Sequence, residues 1–174
     1  MNKIMILPFL MLVGCIDANV SDPSICDTFD LGTPPSFPVS VPIGVPLPTQ
    51  TFTSNMDFSS SISKLSDVAN NLTVNVSNLN LSNNGDLAFI TTMDVSISAV
   101  GMPSVPFASY TNTTGSNPGP EVSMKVLVDS STLLSYLEHP VTLTFTVNGT
   151  IPTKTVSFEN TMCVAVSGKF SKSL

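Results

Sequence analysis

Apolar and polar residues alternate with a period of two along most of this chain, the mark of strands that bury one face and wet the other. In 141–147, Val141, Leu143, Phe145 and Val147 stand opposite Thr142, Thr144 and Thr146. Met93, Val95, Ile97 and Ala99 alternate with Asp94, Ser96 and Ser98, and Val122, Met124, Val126 and Val128 form another such run. In the last stretch Val156, Phe158, Met162, Val164, Val166 and Phe170 share one register, while Cys163 and Ala165 take the other. Residues 51–59, with Phe52, Met56 and Phe58, and 105–110 read as shorter strands. Between 72 and 81 the register breaks: Leu72, Val74 and Val76 lie on one side, Leu79 and Leu81 on the other. A slip of one residue near Ser77 and Asn78 predicts a β-bulge or a strand that changes sheets.

Residues 36–48 (SFPVSVPIGVPLP) keep the alternation and add prolines at 38, 42, 46 and 48, all in the even register. Proline donates no hydrogen bond, so one edge of this stretch lacks donors; an edge strand or extended staple tolerates that, whereas a central strand does not. A polyproline ligand is the weaker reading, since no arginine flanks a PxxP core. Two stretches have helical spacing, 61–70 (Ile62, Leu65, Val68, Ala69) and 130–138 (Leu133, Leu134, Leu137). Ser residues open the second as capping candidates, and His139-Pro140 stops it. Residues 85–91 are expected to form one helical turn. Asn83-Asn84-Gly85-Asp86 and Asn148-Gly149 are read as turns, and 111–120 (TNTTGSNPGP) as a mobile loop. About eight strands and two short connecting helices predict an all-β, antiparallel β-sandwich, immunoglobulin/fibronectin-like or related.

Composition narrows the function classes. The 174 residues carry 6 Lys+Arg, all lysine, against 12 Asp+Glu, a net charge of −6 with one His and no Trp. An acidic chain without arginine is a poor fit to a phosphate backbone, so no nucleic-acid partner is expected. One His and 3 Cys do not build a four-ligand zinc cluster with either residue type to spare. A hydrophobic fraction of 42% is enough for a packed core.

The first residues, MNKIMILPFLMLVGC, carry Lys3 and then eleven apolar residues, 4–14. Such a run is too short to cross a hydrocarbon core of about 30 Å as a helix and has the length of a signal-peptide core. Its end, Leu12-Val13-Gly14-Cys15, resembles the lipobox of bacterial lipoproteins. The resemblance implies cleavage before Cys15 and acylation of its thiol, leaving 5 lysines against 12 carboxylates, a net of −7. An ordinary secretory signal ending in Gly-Cys is the alternative. Asp17, not residue 16, is the first acidic position after Cys15, which by the same resemblance favours the outer membrane if the source has one. The division expected is a signal peptide over 1–14, a lipidated N-terminus and tether over 15–24, and a β-sandwich domain over 25–174. The runs DLAFITTMDVSISAVGMP and YLEHPVTLTFTVNG resemble small uncharacterised bacterial sandwich lipoproteins, and no activity comes with that likeness.

Cys26 and Cys163 remain. An exported chain meets an oxidising compartment, so they are disulfide candidates; two buried thiols are the alternative. A Cys–His nucleophilic pair would need His139, and nothing in the spacing supports it. No GxSxG elbow, phosphate loop or GxGxxG occurs. Asp27 with Asp30, or Asp86 with Asp94, are the nearest carboxylate pairs, and the sugar-stacking aromatics that often accompany such pairs are few. Asn80, Ser82, Asn84 and Gly85 echo a calcium loop faintly but lack its carboxylates. No catalytic residue, cofactor or metal is therefore expected. The expectation is a non-enzymatic, lipid-anchored envelope protein, structural or binding, whose partners are the membrane and an envelope protein. Two alternatives stand beside it: a surface adhesin or ligand-capture protein using its end loops, and a hydrolase with an unrecognised carboxylate site.

Overall fold

A computed structural model describes residues 19–21, 25–32, 45–67, 69–113, 117–152 and 157–170. They form an all-β antiparallel sandwich with ten strands and two short helices. In chain order the elements are β1 (Asn19–Ser21), β2 (Ile25–Gly32), β3 (Pro46–Met56), α1 (Ser59–Ser66), β4 (Ala69–Asn83) and β5 (Ile90–Ala99). There follow β6 (Val105–Thr111), β7 (Glu121–Ser123), β8 (Lys125–Val126), α2 (Ser130–Leu137), β9 (Val141–Thr150) and β10 (Phe158–Phe170). One sheet has the order β1-β10-β4-β7, with β2 also on β10; the other is β3-β9-β5-β6-β8. The order β9-β5-β6-β8 places the last strand beside the first, a Greek-key return in which α2 lies on the long connection.

The alternation places the core where the sequence predicts it. Val141, Leu143, Phe145 and Val147 of β9, and Met93, Val95 and Ile97 of β5, are buried against Val74, Leu79, Leu81, Met162 and Val164 of the opposite sheet. The rings of Phe52 and Phe158 meet across the sandwich, with centroids 5.5 Å apart. Each such ring removes some 150–250 Å² from water, the main force joining the two layers.

The break in β4 is a bulge. Cys163 pairs with Asn78 and Val164 with Val76, so Ser77 is the extra residue, and the strand continues in the same sheet. A second shift lies between Ser167 and Lys169, opposite Asn71, whose φ is +55°. Asn tolerates this left-handed conformation better than most residues. The 122–128 run, expected as one strand, instead divides between the sheets: β7 pairs with β4, and β8 pairs with β6. Met124 lies at the crossing, buried, and donates its N–H to the Leu79 carbonyl at 2.9 Å.

Both helices occur, with corrected ends. α1 begins at Ser59 and stops at Ser66, so Ala69 and Asn70, expected in the helix, belong to β4. Pairing of Ala69 with Phe170 offers a ladder that outcompetes another helical turn. Asp57 accepts from the Ser59 N–H (2.9 Å) and hydroxyl (2.5 Å), which holds its carboxyl below the usual value. α2 is capped by Asp129 rather than by serine: Oδ1 accepts from Ser131 Oγ and Thr132 N, and Oδ2 from Thr132 Oγ1. These bonds, the Ser131 hydroxyl first, lower the Asp129 pKa to about 2. A depressed carboxylate contributes stability that is complete above its unfolded pKa of 3.8 and is lost as pH falls toward 2. Asp129→Asn keeps a capping oxygen but cannot titrate, so its melting temperature is expected to fall less steeply between pH 4 and 2 than the parent's; parallel slopes in thermal melts would contradict the assignment. Residues 85–91 form no helical turn: Leu87 accepts from the Ile90 N–H in a tight turn, and β5 starts at Ile90.

Residues 46–48 lie at the start of β3, which among the described residues pairs only with β9 and is an edge strand, as the prolines require. Residues 36–44 lie outside the described residues. Within 15–24, the expected tether, Asn19–Ser21 instead form β1 on Ser167–Lys169. A run without visible periodicity still pairs when a strand end offers it a free edge.

Candidate functional site

The register sorts the connections onto two ends. At one end lie β1, the turn from β3 into α1, the start of β4, the β5–β6 turn at 100–104 and the α2–β9 junction at 138–140. At the other lie the β4–β5 loop (84–89), the described parts of the β6–β7 loop (112–113 and 117–120), the end of β9 at Thr150 and the start of β10 at Phe158.

The second end is polar and closely cross-linked. Asn83 donates its backbone N–H to Pro120 O, and Leu87 its N–H to Gly119 O, both at 2.9 Å. Asn83 Oδ1 accepts from the Gly85 N–H (2.8 Å), while Asn83 Nδ2 donates to Asp86 O (2.9 Å). Asn117 Oδ1 receives the Gly119 N–H, and Gly119 takes a φ of +84°, for which a glycine is suited. So the described parts of the 111–120 loop, read as mobile, are tied to the β4–β5 loop; residues 114–116 lie outside the described residues.

The outer face of the β3-β9-β5 layer is a field of hydroxyls and amides with a single carboxylate among its paired rows. Its rows run Thr53–Thr144–Ser96, Thr51–Thr146–Asp94 and Asn55–Thr142–Ser98. Asp94 alone among these is charged. Thr142 Oγ1 donates to Asn55 Oδ1 (2.8 Å), and Thr49 Oγ1 to Asn148 Oδ1 (2.9 Å), so part of the face is already hydrogen-bonded to itself.

Sequence reasoning missed two polar residues in the core, Ser54, whose hydroxyl has no hydrogen-bond partner among the described residues, and Asn160. Asn160 shares the even register of Phe158 and Met162, is fully buried, and has neither amide atom hydrogen-bonded among the described residues. The signal was an amide in an otherwise apolar series. An unpaired buried amide costs about 1–3 kcal/mol. Asn160→Leu is therefore expected to raise the melting temperature by several degrees; a lower one in a calorimetric scan would mean that the amide is satisfied.

Of the residues singled out from sequence, Cys15 lies outside the described residues. Cys26 and Cys163 face each other across β2 and β10 and form a disulfide with Cα atoms 4.0 Å apart. Neither is therefore a thiol, and the Cys–His nucleophile falls. His139 is exposed; its backbone N–H donates to Tyr136 O, and the Tyr136 hydroxyl donates to Pro103 O at 2.6 Å, tying α2 to the β5–β6 turn. Asp86 and Asp94 are exposed, one in the β4–β5 loop accepting from the Ala88 N–H, the other on the β5 face. Asp27 and Asp30 lie on β2. Asn80 joins Glu121 and Ser123 rather than a loop: its Nδ2 donates to Glu121 and its Oδ1 accepts from Ser123. Burial raises the Tyr110 pKa. Among the described residues no three His, Cys, Asp or Glu side chains group as metal ligands, and no helix is long and apolar enough to cross a membrane.

No protein-family model matches the chain, and no curated protein matches it. A solved structure from Desmodium yellow mottle tymovirus aligns over 98% of this chain and 97% of that one, at 9% identity and a TM-score of 0.22. A likeness of that degree carries no inference about fold or function.

Proposed function

We propose that the chain is a lipid-anchored component of a bacterial cell envelope, acting as a non-catalytic structural or binding module. The observation that carries this reading is Leu12-Val13-Gly14-Cys15 after Lys3 and an eleven-residue apolar run. The disulfide supports it, because such bonds persist in oxidising compartments. Each buried acyl CH₂ contributes about 0.8 kcal/mol to membrane binding, so two or more chains hold a domain of this size stably. An outer-membrane location and an envelope-protein partner belong to the same proposal.

The expected result is that Cys15→Ser moves the protein from the membrane pellet to the soluble fraction, while the parent's mature N-terminal peptide carries diacylglyceryl-cysteine by mass spectrometry. A parent that is soluble, with an unmodified Cys15, refutes the anchor.

A second reading, ligand capture by the end loops, is favoured by one observation. The β4–β5 and β6–β7 loops are held together by the Asn83–Pro120 and Leu87–Gly119 hydrogen bonds, so one end presents a composite, preordered polar surface. Binding of an envelope component that is lost in an Asn84→Ala/Asn117→Ala variant supports this reading, and unchanged binding by that variant opposes it.

A further inference from the structure

If Cys15 carries lipid, the two ends of the sandwich are not equivalent; this inference rests on the anchor proposed above. β1 begins at Asn19 and is paired to Ser167–Lys169. The four residues from Cys15 to Asn19 span at most about 14 Å fully extended. The acyl chains therefore start close to the end of β10. The start of β4 lies at that end, since Ala69 pairs with Phe170, and Asn83 lies at the other, opposite Phe158. Strand geometry separates the two by roughly 45 Å. The β4–β5 and β6–β7 loops are thus held far from the lipid.

The β5–β6 turn lies at the lipid-proximal end, because Ala99 pairs with Val141 and the turn follows it. At its tip Val100 is 87% exposed, followed by Gly101 with a φ of +78°. Polar turn formers normally fill such positions. Among the described residues Leu127, after β8, is the other large apolar side chain left exposed, at 50%. Among the described residues the same end carries exposed Lys64 and Lys169 with Asp57, Asp67 and Glu138, a mixture of signs that gives little attraction to headgroup charge. The apolar tip is what distinguishes it.

We propose that the sandwich stands on the bilayer with its β1 end down, that Val100 enters the boundary between headgroups and acyl chains as a second contact, and that the loop end faces away. The tether is too short for the body to tumble freely, and an apolar side chain near the interface gains by entering it.

The test uses the lipidated, disulfide-bonded protein, whose native cysteines are all blocked. Val100→Cys and Asp86→Cys are each labelled with the fluorophore NBD and reconstituted into phosphatidylcholine vesicles containing doxyl-labelled lipid. The label at position 100 is expected to shift to shorter wavelength and to be quenched several-fold. At 86 the same label should keep the emission it has in water. Flotation with the vesicles together with an unquenched label at 100, or equal quenching at both positions, overturns the orientation while the anchor stands. Failure to float, with an unmodified Cys15 by mass spectrometry, overturns the anchor and the orientation together.

Discussion

Reduction of the Cys26–Cys163 bridge is expected to lower the melting temperature by roughly 10–20 °C. The two cysteines are 137 residues apart in sequence. Closing a loop of that length removes about 5 kcal/mol of chain entropy from the unfolded state in the polymer model. For a body of this size each kcal/mol is worth about 2–4 °C. The bond also has a local task. Among the described residues β2 joins its sheet through β10 alone, so the bridge clamps an edge strand that otherwise depends on one ladder. Hydrogen exchange should therefore rise first in Ile25–Gly32 after reduction. The measurement is a thermal melt with and without reductant, repeated on a Cys26→Ala/Cys163→Ala variant. A shift below about 3 °C in both would show that the bridge adds little to stability.

Gly149→Ala is expected to destabilise the fold by about 3 kcal/mol, near the upper end for overpacking. A Cβ at 149 would lie 2.0 Å from the Phe89 carbonyl oxygen, a backbone atom that cannot swing aside. That oxygen is fixed because it accepts the Thr150 N–H at 2.8 Å. The close approach arises from a bulge: Ile90 pairs with Gly149 and Thr92 with Asn148, leaving Thr91 extra on β5. Relief would require moving Phe89, whose ring packs 6.2 Å from that of Phe158 in the core. Gly85→Ala is the control, since the nearest atom to its added Cβ is a side-chain oxygen at 3.9 Å; it should change stability by less than about 0.5 kcal/mol. Denaturant midpoints compare the two variants, and equal midpoints would refute the steric argument.

Gly149 also shows where sequence reading stops. Asn-Gly is the usual signal for a two-residue hairpin, and here it lies inside β9 instead. The dipeptide is present for the bulge that faces it, which no local pattern encodes. The β4 slip at Ser77 was legible, because a bulge moves every later side chain to the other face and the hydrophobic register records it. The crossing at Met124 was not legible, because β7 and β8 each turn an apolar residue inward and the alternation passes unbroken from one sheet to the other. Of the candidate sites, the proposed lipobox is a local sequence pattern and remains a proposal, whereas the pairing of Cys26 with Cys163 was one of two open readings until β2 was placed beside β10.

The sequence by itself determined the class of fold, the inward residues of most strands, the edge position of the described part of the proline-bearing stretch, 46–48, and the two helices. Each of these follows from interactions between near neighbours and water, which repeat with the period of the element. Tertiary structure alone decided which strands share a sheet, that β1 and β2 both lie along β10, that Asn160 is enclosed without a described partner, and that Val100 lies at the same end of the sandwich as β1. Those depend on contacts between residues far apart in the chain, where many pairings bury nearly the same apolar area and only the packed whole selects one.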